Sequence, residues 1–218
     1  MAYAIGLIAT DGCLSCDGRH LVFVSKDEEQ VENLKRCLGL SVKTGRHRSG
    51  RRGETRGYYR VQWGDVVLYE FLLSIGLTSN KSLTLGALDI PDEYLFDFLR
   101  GSFDGDGSFY SYFDSRWKSS FMFYLVFTSA SEEHVSWLRA MLERSVGVRG
   151  HVTVTHGSSK ERHSVHNLRF AKSEAMIVIR KIYERESAPQ LTRKRLKISE
   201  ALRIIGESLP ATHEKLPK

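Results

Sequence analysis

The feature that most constrains this chain is an internal repeat, because two related segments are expected to fold as two related halves. The stretch "AIGLIATDGCLS" at positions 4–15 has a counterpart in "FLRGSFDGDGSFYSY" at positions 98–112. In both, an apolar run ends in an Asp-Gly pair and an alternating segment follows. The matched positions are Gly6 with Gly101, Asp11 with Asp106, and Gly12 with Gly107.

The repetition continues downstream. "DEEQVENLKRCLGL" and "SEEHVSWLRAMLERSVGV" both carry apolar residues at i, i+3 and i+7, which predicts an amphipathic helix in each. Asp27 and Ser131 stand where N-caps belong. The offset between matched positions grows along the chain from 95 (106 − 11) through 104 (135 − 31) to 113 (194 − 81), as expected for a duplication with insertions in the second copy.

Strand signals lie between the helical segments. Asp17-Gly18 is a strong two-residue hairpin turn, and a longer hairpin is expected to turn near 114–119. Each repeat therefore reads as helix, hairpin, helix, hairpin, helix. We expect an α+β fold with repeats at 1–84 and 94–207, a linker at 85–93, a last helix near 199–207 and a polar tail at 208–218.

Composition narrows the class of protein and of partner. Lys and Arg exceed Asp and Glu by 32 to 26, and this net charge of +6 favours a polyanionic partner. Three cysteines without a disulfide framework indicate a reducing compartment. No signal peptide and no apolar run of membrane-spanning length is found, so a soluble intracellular protein without a membrane partner is expected.

The two Asp-Gly segments resemble the motif of the LAGLIDADG homing endonucleases in their single-chain form with two motif copies. The first copy reads "AIGLIATDG" at 4–12 and the second reads "LRGSFDGDG" at 99–107. The resemblance covers nearly the whole chain. It implies two pseudo-symmetric αββαββα repeats, each with a curved four-stranded antiparallel sheet, joined where the two motif helices pack together.

The motif also has a direct physical interpretation. Small residues in each motif helix, such as Gly6 and Gly101, let the two helices approach closely and bring Asp11 and Asp106 together at their C-terminal ends. Two carboxylates so close repel each other unless a divalent cation lies between them. The alternative is that Asp-Gly merely ends a helix and begins a strand, which this pair does well.

The resemblance implies the remaining parts of a nuclease site. The metal site would comprise Asp11, Asp106, Thr10 and Gly105, with the two acids as the carboxylate ligands, and Mg²⁺ would be the cofactor. Mn²⁺ and Ca²⁺ would also occupy the site, Ca²⁺ without cleavage. Lys81 and Lys194 match the family's active-site lysines, although solvated surface lysines are the alternative. Lys26 and Ser129 occupy positions that organise solvent in the family, often as glutamine.

The resemblance also implies that each sheet lies in the major groove of DNA, which a β-ribbon can enter, so the strands should carry polar and aromatic residues on the face opposite the helices. The basic segment at 43–60 is expected to be a mobile loop that orders on phosphate. The candidate DNA contacts are Ser15, Asp17, Arg19, Lys43, Arg46, Arg48, Arg51, Arg52, Arg56, Tyr58, Arg60 and Gln62 in the first repeat, and Tyr110, Tyr112, Asp114, Arg116, Lys118, Thr153, Thr155, Lys160, Arg162, His166, Asn167 and Arg169 in the second.

The function that these features imply is a monomeric, site-specific endonuclease for double-stranded DNA. It would hydrolyse both strands of a long, roughly palindromic site and leave short 3′ overhangs. Two alternatives stay open: an RNA maturase that helps an intron to splice, and a DNA-binding regulator that has lost catalysis. Both acids and both lysines are retained, which favours the nuclease.

Overall fold

The computed structural model describes residues 1–49, 56–117, 120–157, 163–185 and 187–210, with the backbone alone for 47–49 and 56. Within these residues the chain forms seven α-helices and eight strands. The helices are α1 (Ala2–Asp11), α2 (Glu28–Leu38), α3 (Val66–Ser74), α4 (Leu95–Gly105), α5 (Glu132–Val146), α6 (Lys172–Ile182) and α7 (Thr192–Ile204). The strands are β1 (Gly12–Leu14), β2 (His20–Ser25), β3 (Gly45–Ser49), β4 (Arg56–Gly64), β5 (Ser108–Phe113), β6 (Phe121–Ser129), β7 (His151–Thr155) and β8 (Val165–Ala171).

The strands form two antiparallel sheets of the same topology. The first has the order β1-β2-β4-β3 and the second the order β5-β6-β8-β7. In each half, helices alternate with strand pairs in the order α-β-β-α-β-β-α. The predicted fold, two αββαββα repeats with a four-stranded antiparallel sheet each, is therefore confirmed.

Alternation along the strands gives each sheet one apolar face. On β2 and β4, Leu21 pairs with Trp63 and Phe23 pairs with Val61, and all four side chains are buried. On β6 and β8, a corresponding set of buried side chains comprises Leu125, Phe127, Leu168 and Phe170. Because successive strand residues point to opposite sides, the other face of each sheet is left for polar and aromatic residues.

Helices α1 and α4 pack side by side at the centre of the molecule. A Cβ atom on Gly6 would lie 2.2 Å from the carbonyl oxygen of Phe98, and one on Gly101 would lie 2.1 Å from that of Tyr3. Any side chain at these two positions would collide with backbone, so the close approach requires glycine. The small residues of the motif therefore have the packing role that the sequence predicts.

The segment predicted as a linker packs closely against the second half. Leu85, Leu88 and Ile90 are buried. The carbonyl oxygen of Leu85 accepts a hydrogen bond from the Ser131 hydroxyl at 2.5 Å, and that of Gly86 lies 2.9 Å from Nδ1 of His134. This segment thus fixes the start of α5.

The last helix begins earlier than predicted. The sequence predicts it near 199–207, whereas α7 spans Thr192–Ile204 and includes Lys194 in its first turn. Arg193, Lys194, Arg195 and Lys197 hide the helical pattern, because the first inward position of the helix is a buried lysine and Leu196 is an exposed apolar residue. Among the described residues, no helix is both long and apolar enough to cross a membrane.

Candidate metal centre and nucleic-acid interface

The two acids meet where the central helices end. Asp11 is the last residue of α1 and Asp106 immediately follows α4. The helices run parallel, since Tyr3 faces Gly101 and Thr10 faces Gly105. A Cβ atom on Gly105 would lie 3.1 Å from Oδ2 of Asp11, so the Asp11 carboxylate reaches the residue next to Asp106. This is the arrangement that the motif predicts.

The surroundings of this acidic pair disfavour negative charge. Asp11 is half-buried, and the Asp106 side chain is open to solvent. Burial, and next the charge of Asp106, raise the pKa of Asp11 to about 6. Displacement of solvent by nearby protein also raises the pKa of Asp106. None of the described residues donates a hydrogen bond to either carboxylate, which leaves their oxygens free to meet a cation.

The donor set suits a hard divalent ion. Mg²⁺ is typically held by one or two carboxylates together with water and substrate phosphate. The hydroxyl of Thr10 donates to the carbonyl oxygen of Leu7 at 2.9 Å and packs against Gly105, so its hydrogen is turned into its own helix. In the described part of the chain no group of three or more His, Cys, Asp or Glu side chains is placed to hold a metal.

The two predicted lysines are buried, so the surface-lysine alternative is wrong. Lys81 is 6% exposed and Lys194 is 8% exposed. Lys81, in the turn after α3, donates to the carbonyl oxygen of Gly12. Lys194 donates to three carbonyl oxygens at the end of α4, those of Phe103, Gly105 at 3.1 Å and Gly107 at 2.6 Å. Each ammonium therefore sits at the negative end of a motif helix.

Burial also changes the chemistry of these lysines. Loss of solvent lowers the pKa of Lys81, and it lowers the pKa of Lys194 to about 8. An ammonium has three donors. All three of those on Lys194 have carbonyl partners, whereas Lys81 donates to a single backbone oxygen within the described residues. The two lysines are thus not equivalent.

Of the two positions predicted to organise solvent, only Ser129 lies near one of the two motif acids, Asp106. Ser129 lines a small cavity with Asp106, Thr128 and Thr10, and the buried hydroxyl of Ser102 in this cavity has no described partner. Lys26 is exposed, and its ammonium lies 5.8 Å from the centroid of the Tyr58 ring. Nothing in the described structure joins Lys26 to Asp11.

Asp104 has a structural role that the sequence does not predict. It is 1% exposed and accepts hydrogen bonds from the Tyr3 hydroxyl at 2.8 Å and from the Leu191 backbone N–H at 2.7 Å. Burial raises its pKa to about 6. Asp104 therefore ties α4 both to α1 and to the start of α7.

In the first sheet, the face away from the helices carries Arg60, Gln62 and Tyr58, as predicted. Arg46 is an exception: it pairs with Tyr59 on the helix side, and its guanidinium lies 5.1 Å from that ring centroid. Its assignment to the groove face is wrong, because the register of β3 turns it the other way. The expected mobile loop is also wrong for 45–49 and 56–60, which are strand.

The turn between β1 and β2 carries further predicted contacts. Ser15 is half-buried, and Asp17 and Arg19 are exposed. Asp17 accepts from the backbone N–H groups of Arg19 and His20, which fixes the turn and holds the pKa of Asp17 low, at about 2. Lys43 is exposed ahead of β3.

The second sheet brings most of its predicted residues to one face. By strand register, the face away from the helices carries Tyr110, Tyr112, Thr153, Thr155, Asn167 and Arg169, with Tyr124 and Thr128 of β6 among them. Tyr124 and Thr128 were not predicted, although alternation along "FMFYLVFTS" would have placed them. Asp114 and Arg116 form an ion pair at the turn after β5, with Nη2 and Oδ2 2.9 Å apart.

His166 is wrongly assigned to the groove face. It is 9% exposed and shares the buried side of β8 with Leu168 and Phe170. The physical reason is strand alternation, which puts Asn167 and Arg169 outward and His166 inward. Arg51, Arg52, Lys118, Lys160 and Arg162, and the side chains of Arg48 and Arg56, lie outside the described residues.

Comparison with known proteins agrees with this architecture. A family model for a LAGLIDADG-like domain matches residues 93–203, more than half of the chain. The homing endonuclease I-WcaI bound to its DNA recognition sequence is similar at 13% identity and a TM-score of 0.61, over 90% of this chain and 84% of that one. The meganuclease I-AabMI bound to uncleaved DNA is similar at 14% identity and a TM-score of 0.55, over 94% and 88%.

A third similar structure is a domain of the protein DUF199/WhiA. The N-terminal LAGLIDADG domain of DUF199/WhiA is similar at 16% identity and a TM-score of 0.51, over 83% of this chain and 79% of that one. No curated protein matches the sequence. Identities this low establish only that the fold is shared. The family model and the two motif copies indicate common ancestry with the LAGLIDADG proteins. The chain belongs to the LAGLIDADG family.

Proposed function

We propose that this protein is a metal-dependent endonuclease that cuts both strands of double-stranded DNA at a specific site. The observation that carries the proposal is the meeting of Asp11 and Asp106 at the parallel ends of α1 and α4, with no described hydrogen-bond partner for either carboxylate. Two acids in half-desolvated positions are costly unless a cation joins them. A metal centre between two polar sheet faces suits phosphodiester hydrolysis.

In hydrolysis, the oxygen of a water forms a bond to phosphorus while the bond from phosphorus to a sugar oxygen breaks, and the water gives up a proton while the departing sugar oxygen gains one. Bound divalent ions supply the acidified water and neutralise charge on the phosphate. Asp11 and Asp106 are the residues that would hold the ions, one acid from each of the two related halves of the chain. Lys81 retains donors that can face a water or a phosphate oxygen. Lys194 fixes the carbonyl groups that flank Asp106.

The two sheet faces supply the surface for the duplex. They carry arginine, tyrosine, threonine and amide side chains, and the chain has a net charge of +6. Two of the similar structures, those of I-WcaI and I-AabMI, are bound to DNA. Because the two faces differ in composition, the site should be long and only roughly palindromic. We propose a monomer that uses Mg²⁺ and leaves short 3′ overhangs.

The direct test is cleavage of a randomised duplex library in Mg²⁺, in Ca²⁺ and in EDTA. Double-strand cuts are expected in Mg²⁺ alone. Asp11→Asn and Asp106→Asn should each abolish double-strand cleavage and retain DNA binding. Asp89→Asn is a matched control, since Asp89 is exposed near the opposite ends of the motif helices. Double-strand cleavage at the normal rate by either site variant would show that the ligands are wrongly assigned.

Binding measurements with the same duplex library and with a structured RNA distinguish the two alternatives from the nuclease. Selective duplex binding without cleavage in any divalent ion would identify a DNA-binding regulator, since one fold can serve several functions. Tight binding to structured RNA in place of duplex DNA would identify a maturase. Retention of both acids and both lysines favours the nuclease over either alternative.

A further inference from the structure

One arginine on the second sheet is held in a fixed position by two tyrosines. Nη1 of Arg169 on β8 lies 3.2 Å from the hydroxyl oxygen of Tyr110 on β5, to which it donates. Its guanidinium carbon lies 5.2 Å from the centroid of the Tyr124 ring on β6. The rings of Tyr110 and Tyr124 are stacked, with centroids 5.1 Å apart and planes inclined by 22°. The cluster therefore spans three strands of one face.

We propose that Arg169 reads a guanine in the half-site bound by the second sheet, an inference that rests on the proposed function. A guanidinium is a planar fork with five donors, and the Tyr110 contact occupies one of them. Guanine presents two acceptors, O6 and N7, on its major-groove edge, and arginine pairs with both at once. Stacking on Tyr124 orients the fork before DNA arrives, which lowers the entropy cost of binding.

The position of Arg169 favours a base contact over a phosphate contact. β8 is an internal strand, and its residue Arg169 pairs with Val126 on one side and His151 on the other. The middle of a sheet face meets base edges when the sheet enters a groove, whereas its rims and turns meet the backbone. Arg116, by contrast, is at a turn and is paired with Asp114.

The test compares the duplexes selected by wild type, Arg169→Lys, Arg169→Gln and Tyr110→Phe from a randomised library in Ca²⁺ or EDTA. Arg180→Gln is the matched control, since Arg180 is exposed on α6, on the helix side of the sheet. Wild type and the control should select one guanine that both Arg169 variants no longer select. The discrimination lost should be about 5- to 150-fold at that base pair, and smaller for Tyr110→Phe.

Affinity measured against salt distinguishes a base contact from a phosphate contact. Arg169→Lys keeps the charge but not the fork, so it should keep the salt dependence and lose the guanine preference. A uniform loss across all sequences, with the salt slope of Arg169→Gln smaller by about 1, would overturn the inference. So would an unchanged motif in folded Arg169→Lys and Tyr110→Phe. No enriched motif with wild type would overturn both the inference and the proposed function.

Discussion

The ammonium nitrogen of Lys194 lies 2.6 Å from the carbonyl oxygen of Gly107, one residue beyond the proposed metal ligand Asp106. The same nitrogen donates to the carbonyl oxygen of Gly105, one residue before it. The backbone that carries Asp106 is therefore held on both sides by one buried cation. Lys194 positions the ligand, and its donors are committed to this task.

Replacing Lys194 by methionine should destabilise the protein, because three carbonyl oxygens lose a charged donor at once. We expect the free energy of unfolding to fall by about 2 to 4 kcal/mol in denaturant titrations. Lys197→Met, an exposed position on the same helix, is the control and should change little. Equal stability of the two variants would contradict the capping role of Lys194.

Replacing Asp11 by asparagine should stabilise the metal-free protein while it abolishes cleavage. The folded pKa of Asp11, about 6, lies above the ordinary 3.8, so ionisation of Asp11 opposes folding. Protonated Asp11 therefore stabilises the folded state; this stabilisation is fully present below the unfolded pKa and is lost as the pH rises through about 6. Urea titrations in EDTA should give the variant an advantage of about 1 to 3 kcal/mol at high pH and little at pH ~4.

Divalent metal should stabilise wild type through these same acids. In Mg²⁺ the melting temperature should rise with concentration, because an ion that binds only the folded state adds to its stability. The Asp11→Asn, Asp106→Asn double variant should show no such rise, whereas Asp89→Asn should behave as wild type. An Mg²⁺-dependent rise retained by the double variant would place the metal elsewhere.

Replacing Gly101 by alanine should disrupt the central helix pair. The added Cβ atom would lie 2.1 Å from the backbone carbonyl oxygen of Tyr3, so α1 and α4 would have to separate. We expect a loss of about 2 to 4 kcal/mol in unfolding free energy. Gly57→Ala is the control, because the space around Gly57 is open. A Gly101→Ala protein as stable as this control would contradict the packing.

Affinity for duplex DNA should fall steeply with salt. Lys and Arg side chains that meet phosphates release counterions on binding, so several such contacts predict a fall of about 10²-fold or more between ~50 and ~200 mM salt. Fluorescence anisotropy with a selected duplex in Ca²⁺ measures it. A flat response would refute the assignment of the two sheet faces to DNA.

The repeat and its hydrophobic periods predicted the topology, and the motif predicted which acids meet, because both depend on local pattern. The placement of side chains whose partners are distant in sequence cannot be predicted from local pattern. The three carbonyl partners of Lys194 depend on where α7 begins, which its charged first turn conceals. Arg46 faces the helices because of the β3–β4 register, which no signal near Arg46 reveals. His166 alternates with the apolar Leu168 and Phe170, and this pattern places it on the inward face.

The Gly6–Gly101 contact has a consequence for how such a nuclease can change over time. The backbone-to-backbone contact fixes how closely α1 and α4 approach, and so the spacing of the two acids; in the proposed nuclease this spacing would determine the stagger between the two cuts. The outer sheet faces have no part in that spacing. If the proposed function holds, residues of these faces could change and alter the recognised sequence without moving the positions of the two cuts.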